Sequence, residues 1–268
     1  MNRSKIEYLT HTWNPVTGCM HSCSYCFARK ITERFGEHQK GDDVLHALLE
    51  YEGTRLDLRS ENYNPTSFSL GKKAVGMNPY PFGFEPTLHA YRLDEPKMLK
   101  KPARIGVVFM GDLFGNWVPR NWIEVVIDTV KACPQHTFLF LTKNPERYRK
   151  FDFPENAWLG TSAENAINLH VREDQMCFSL PKISFLSLEP LLDDVSRYIS
   201  FDIWDWIIVG AQTGPGAVKP KPEWVQAVID ARDMYEQKTG KHVPLFLKNN
   251  LGWPEAIQEF PRDEAIEI

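Results

Sequence analysis

Arg104-Ile105-Gly106-Val107-Val108-Phe109-Met110-Gly111-Asp112 decides the fold: it is a near-continuous apolar run that stops at Gly-Asp. A run of this kind suits a strand buried on both faces, and such strands belong to parallel sheets covered by helices. The chain beyond it keeps the same rhythm. A helix is expected at Asn121–Ala132, with Trp122, Val125, Val126 and Thr129 on one stripe. A strand follows at Thr137–Thr142, then a short helix at Pro145–Lys150. Trp158–Ser162 reads as a strand, Ala166–Cys177 as a helix, and Ile183–Leu188 and Trp206–Gly210 as two more strands. Pro222–Lys238 has proline in its first turn and Gly240 just past its end, as helices prefer, and Val243–Leu247 closes the series. With short strands at Glu7–Asn14 and Thr87–Tyr91, about eight strands alternate mostly with helices. That pattern favours an α/β fold, a TIM-like (β/α) barrel, complete or partly open, in one domain spanning 1–268. No GxGxxG or Walker loop follows any strand, which disfavours a doubly wound nucleotide-binding sheet.

One region breaks the rhythm. After a first helix at Ser24–Phe35, with Phe27, Ile31 and Phe35 at helical spacing and Gly36 as its stop, residues 36–84 become polar and rich in Asn, Gly and Pro. Asp42–Tyr51 has the pattern of one more helix. The rest reads as an insertion on one face, without a core of its own. The 268 residues carry 43% hydrophobic and 25% charged side chains and a net charge of −4, the composition of an ordinary globular chain. That charge disfavours a long nonspecific nucleic-acid groove. The basic clusters Lys97–Arg104 and Lys143–Lys150 read as solvated helix ends and loops. No apolar core follows the N-terminal Met1–Lys5, so no signal peptide is expected, and no run reaches the roughly 18 apolar residues of a membrane span. Five cysteines, three of them clustered, suit reduced thiols in the cytoplasm rather than a disulfide framework. Cys133 and Cys177 stand alone and read as buried structural thiols.

The clustered three are Cys19, Cys23 and Cys26, spaced C-x3-C-x2-C on the loop between the first strand and the first helix. Three thiols are one short of a closed tetrahedral zinc site or a fully ligated iron–sulfur cluster. Two readings are open. His21 completes a structural zinc site, although it crowds a loop this tight; or one metal position stays open to a ligand. In parallel barrels, active sites form at the C-terminal strand ends. Those ends carry a polar set: Gly111 and Asp112, Thr142 and Lys143, Ser162, Glu164 and Asn165, Ser187 and Glu189, Gln212, and Lys248. Each alone reads better as a cap or turn; their convergence with the cysteines on one rim favours function.

The C-x3-C-x2-C motif on a strand-1 loop resembles that of radical S-adenosylmethionine (SAM) enzymes. The resemblance implies a radical-SAM-type barrel and a [4Fe–4S] cluster on Cys19, Cys23 and Cys26, with the fourth iron free to chelate SAM. It implies Tyr25 beside the adenine, Asp112 at the methionine ammonium with Gly111 allowing close approach, and Thr142, Lys143, Ser162, Glu164, Asn165, Glu189, Gln212 and Lys248 as SAM or substrate contacts. Nearly the whole chain outside residues 36–82 resembles, more narrowly, the phage-associated three-cysteine-motif proteins. The segments that carry this are Trp13–Cys19, Gly83–His89, Met110–Phe114, Leu141–Arg147, Trp158–Asn165, Ser187–Leu192, Trp206–Ala217 and Leu245–Lys248. Members of that family commonly have a longer gap between the first two cysteines, and an acidic residue near the position where this chain has Gln212. This resemblance implies a genomically adjacent partner protein and a nucleic-acid or nucleotide substrate. The radical chemistry implies a flavodoxin- or ferredoxin-type electron donor. The rival class is a non-catalytic binding module stabilised by zinc or a cluster.

Overall fold

The computed structural model describes residues 1–35, 68–69, 80, 82–177, 181–214 and 216–261. The helix expected at Asp42–Tyr51, with most of the 36–84 insertion, lies outside the described residues. The chain forms two compact units, Met1–Phe138 and Leu139–Ile268, both mixed α/β.

The first unit contains β1 (Asn2–Arg3), β2 (His11–Trp13), β3 (Val16–Thr17), α1 (Phe27–Phe35), β4 (Phe68–Ser69), β5 (Thr87–His89), β6 (Arg104–Val107) and α2 (Arg120–Lys131). β2 pairs antiparallel with β1 and parallel with β6, Trp13 lying opposite Val107. β3, β5 and β4 form a separate three-stranded sheet with Leu88 between Val16 and Phe68. The strand expected from Glu7 is shorter because Leu9 N–H donates to the Ile6 carbonyl and Ser4 N–H to that of Thr10, folding the approach into a loop. α2 buries Trp122, Ile123, Val126, Ile127, Thr129 and Val130. A buried Val or Ile contributes roughly 1.5–3 kcal/mol each.

Two features depart from the sequence pattern. β6 stops at Val107 because Val108 adopts φ +58°, a conformation rare for a β-branched residue. The Val108 N–H is held by the Trp13 carbonyl at 2.8 Å, and its own carbonyl accepts from Gly111 at 3.3 Å, so the apolar run turns where continued strand was expected. α1 buries Ala28 and Thr32, while Phe27, Ile31 and Phe35 are 46%, 37% and 57% exposed. Its small-residue face is the one turned inward.

His89 sits in the core of this unit with Nε2 2.8 Å from Thr17 Oγ1 and Nδ1 without a hydrogen-bond partner among the described residues. Burial, then the nearby Arg92, holds its pKa well below the usual histidine value. Folding therefore favours the neutral ring. That contribution is complete above the unfolded pKa of about 6.5 and is lost as pH falls from there toward the depressed folded value. His11 and His136 shift the same way, again chiefly by burial. The denaturation midpoint is expected to drop from about pH 7.5 to about pH 5, and to drop less in His89→Gln, which has no ring to protonate. Equal drops in the two proteins would contradict this.

β7 (Thr137–Thr142) begins in the first unit and continues into the second, which adds β8 (Ala157–Ser162), α3 (Ala166–Met176), β9 (Ile183–Leu188), β10 (Trp206–Val209), α4 (Pro222–Thr239) and β11 (Leu245–Leu247). β8 to β11 are neighbours in that order and all pair parallel. Every residue of β8 and β10 is buried, which explains the unbroken apolar character of β10; in β8 the buried Thr161 hydroxyl is satisfied by the Thr142 carbonyl. Trp206 meets Trp158, Phe185 and Phe246, each at a centroid distance of 6.0 Å. Leu247 and Glu259 N–H groups bond the Ile257 and Leu245 carbonyls, so the chain's return covers the β11 edge. Buried Arg232 holds Glu259 at 2.9 Å. α4 closes on Gly240 at φ +73°, the left-handed stop glycine adopts readily. Cys133 is buried as expected, whereas Cys177 is exposed just beyond α3.

Candidate functional site

The cysteine loop hangs from a fixed frame. Trp13 Nε1 donates to the Arg92 carbonyl at 2.7 Å, Asn14 Oδ1 accepts from Met110 N–H at 2.9 Å, and Arg92 Nη1 donates to the Asn14 carbonyl at 3.0 Å. Gly18 then bridges Gly111 in parallel, its N–H donating to the Met110 carbonyl, while Cys19 N–H donates to that of Phe84. A methyl on Gly111 would stand 2.5 Å from the Gly18 carbonyl oxygen. Gly111 is thus needed for the backbones of the two turns to touch.

From this frame the loop runs through three half-buried cysteines into α1. The Cys26 carbonyl accepts from Lys30 N–H, so Cys26 stands at the mouth of the helix. Backbone N–H groups of His21 and Arg29 donate to the sulfurs of Cys19 and Cys26, both at 3.4 Å. The Arg29 side chain turns back one helical turn, bonds the Cys19 and His21 carbonyls at 3.2 and 3.1 Å, and lies 4.6 Å from the centre of the Phe84 ring. Cys23 and Cys26 line an open cavity of about 350 Å³, with Arg29, Lys30 and Glu33 on its wall. Tyr25, between the two cysteines in sequence, is half-buried.

Burial pushes the Cys19 thiol up to about 12, against the His21 N–H bond that lowers it; Asp112, Cys23 and Cys26 add smaller upward pushes. A soft cation would displace that proton and reverse the repulsion. Among the described residues, no three Cys, His, Asp or Glu side chains are gathered as metal ligands. The donor set still fits a thiophilic group in kind and place: three thiols on one loop, two on one cavity, beside a helix N-terminus and two cationic side chains.

Asp112 is buried and engaged. Its Oδ2 lies 3.0 Å from His21 Nε2, and its Oδ1 accepts from Phe114 N–H at 3.0 Å.

In the second unit the strand ends stack in layers. Gly160, Phe185 and Trp206 are register partners; one step on come Ser162, Ser187, Ile208 and Phe246. Glu164, Glu189, Gly210 and Lys248 stand two residues further along, and alternation puts the strand positions on that same face. Lys143 pairs with buried Glu164, whose other oxygen accepts from Asn168 at 2.8 Å. Lys248 pairs with Glu189, crossing over Gly210, where a methyl would meet Lys248 Cδ at 3.0 Å and Glu189 Cδ at 3.1 Å. Ser187, 1% exposed, has a hydroxyl without a hydrogen-bond partner among the described residues.

The family described as "Protein of unknown function (DUF5131)" matches residues 3–263. The chain belongs to the DUF5131 family. No curated protein and no solved structure matches it.

The strand-end residues of this DUF5131 chain divide into two kinds. Asn165 caps α3 by accepting from Asn168 N–H at 2.9 Å. Thr142 braces a turn, accepting from Asn144 N–H through Oγ1 and from Thr161 Oγ1 through its carbonyl. Gln212 accepts from Val218 N–H at 3.3 Å within its own loop. Lys143, Glu164, Glu189 and Lys248 instead carry charge into the rim of the second unit. Sequence reasoning placed Ser187 among the polar strand ends without a role of its own, and missed Arg29 altogether. Arg29 lies three residues after Cys26, where a helical side chain can reach back over the preceding turn; Ser187 two residues before Glu189 shares its face. No helix among the described residues is long and apolar enough to cross a membrane.

Proposed function

We propose that this chain is a radical SAM enzyme, with a [4Fe–4S] cluster held by Cys19, Cys23 and Cys26 and one iron left for SAM. The observation that carries the reading is the loop itself: three half-buried thiols leading into the N-terminus of α1, two of them on an open cavity. The cluster, when bound, would supply the electron that cleaves the sulfonium of SAM to give a 5′-deoxyadenosyl radical. The chain's own part is to bind, orient and exclude water. The α1 N-terminus, Arg29 and Lys30 offset the negative charge of thiolates. Tyr25 offers an aromatic face for adenine, and the rim bearing Lys143, Ser162, Glu164, Glu189, Gln212 and Lys248 offers charged and polar contacts to SAM or substrate.

The proposal includes closure or partial closure of the strands into a TIM-like barrel within a single 1–268 domain, in the cytoplasm. It also includes a flavodoxin- or ferredoxin-type electron donor and a genomically adjacent partner protein. A nucleic acid or nucleotide undergoing modification or repair is the proposed substrate class. Anaerobically reconstituted and reduced protein is expected to convert SAM to 5′-deoxyadenosine, and Cys26→Ala to abolish that conversion. Intact SAM with the reconstituted protein, or unchanged turnover in Cys26→Ala, would overturn the assignment and leave a metal-stabilised binding module.

A further inference from the structure

We propose that Asp112 and His21 form a latch that sets the geometry of the cysteine loop, Asp112 acting as a positioning residue through His21. The inference rests on the loop being a thiolate metal site and deepens that reading. Asp112 is 4% exposed, on the turn after β6. The Phe114 N–H fixes one carboxylate oxygen, and the other holds the His21 ring at 3.0 Å. Trp117 packs edge-on against the same ring, at a centroid distance of 4.8 Å and an angle of 80°.

A ring pinned on two sides fixes the backbone that carries it. The consequence lies at the next bond: His21 N–H donates to the Cys19 sulfur at 3.4 Å. Arg29 closes the loop from the other side through the Cys19 and His21 carbonyls. The first cysteine therefore presents its sulfur in an orientation set by a carboxylate 91 residues away. Partners that orient a ligand in this way are the usual outer shell of a metal site, and an N–H donor to sulfur favours the thiolate that binds metal. The latch assigns Asp112 to the loop rather than to the methionine ammonium of SAM.

The test uses the full chain and Co²⁺ as probe, with binding followed by thiolate-to-cobalt absorption. Cys19 alkylation in metal-free protein is mapped in parallel by mass spectrometry. His21→Ala is expected to weaken Co²⁺ binding about 10- to 100-fold and to speed Cys19 alkylation. His21→Gln, whose amide nitrogen reaches the position of Nε2, is expected to restore most of both. Asp112→Ala should weaken binding alone but add little in the His21→Ala background, as coupled residues do. Unchanged affinity and alkylation in His21→Ala, additive losses in the double variant, or no rescue by His21→Gln would each overturn the latch. If the unaltered chain takes up no cobalt while His21→Ala still exposes Cys19, the metal reading fails and the latch stands.

Discussion

Gly18→Ala is expected to destabilise the first unit by about 2–5 kcal/mol, combining the left-handed backbone penalty with overpacking. Gly18 has φ +87°, and a methyl there would run into the Glu85 carbonyl and stand 2.7 Å from the Phe84 oxygen. Neither neighbour is a flexible side chain. Both are backbone, and the Phe84 oxygen already accepts from Cys19 N–H at 3.1 Å. Relief must therefore come from parting the 83–85 turn from the cysteine loop, or from breaking the Gly18 bond to Met110. Equilibrium denaturation measures the loss, and faster Cys19 alkylation should accompany it. A change under about 0.5 kcal/mol, the range of an ordinary surface substitution, would contradict the close approach.

Glu164→Ala is the second large effect, about 3 kcal/mol, because it takes from the Lys143 ammonium the carboxylate that pairs with it. Glu164 is 6% and Lys143 16% exposed in their side chains, so water compensates the lost carboxylate only in part and the cost stays near the lower end for buried pairs. Asn168 would lose its acceptor as well. Removing both charges, in Lys143→Met with Glu164→Leu, should recover most of the loss, since apolar replacement of a buried pair is often neutral. A double-mutant cycle in urea reads this directly. If the single and double variants are equally unstable, packing rather than charge holds this rim.

Strands buried on both faces announce themselves, and β7 and β9 have the bounds their apolar runs mark out. α4 was equally legible, because its proline and Gly240 act locally at the two ends. The misreadings share a cause: periodicity names an element but not what its neighbours do. Val108 has the composition of a strand residue, yet a carbonyl from β2 holds it in a turn. In α1 the aromatic stripe identified the helix, while close packing selected the smaller Ala28 and Thr32 for the covered face. Polar strand ends were visible as a set, but nothing local separates the cap Asn165 from its neighbour Glu164, which takes a lysine from the preceding strand end. The contact between His21 and Asp112 spans 91 positions and depends on two glycines meeting beneath it.

The proposed cluster has three cysteine ligands and one iron open to SAM. Electron paramagnetic resonance of the reduced, reconstituted chain, before and after SAM is added, tests it most directly. About four irons and four sulfides per chain are expected, with a spectrum that shifts when SAM is added. A single bound zinc, or a cluster whose spectrum SAM leaves unchanged, would contradict it.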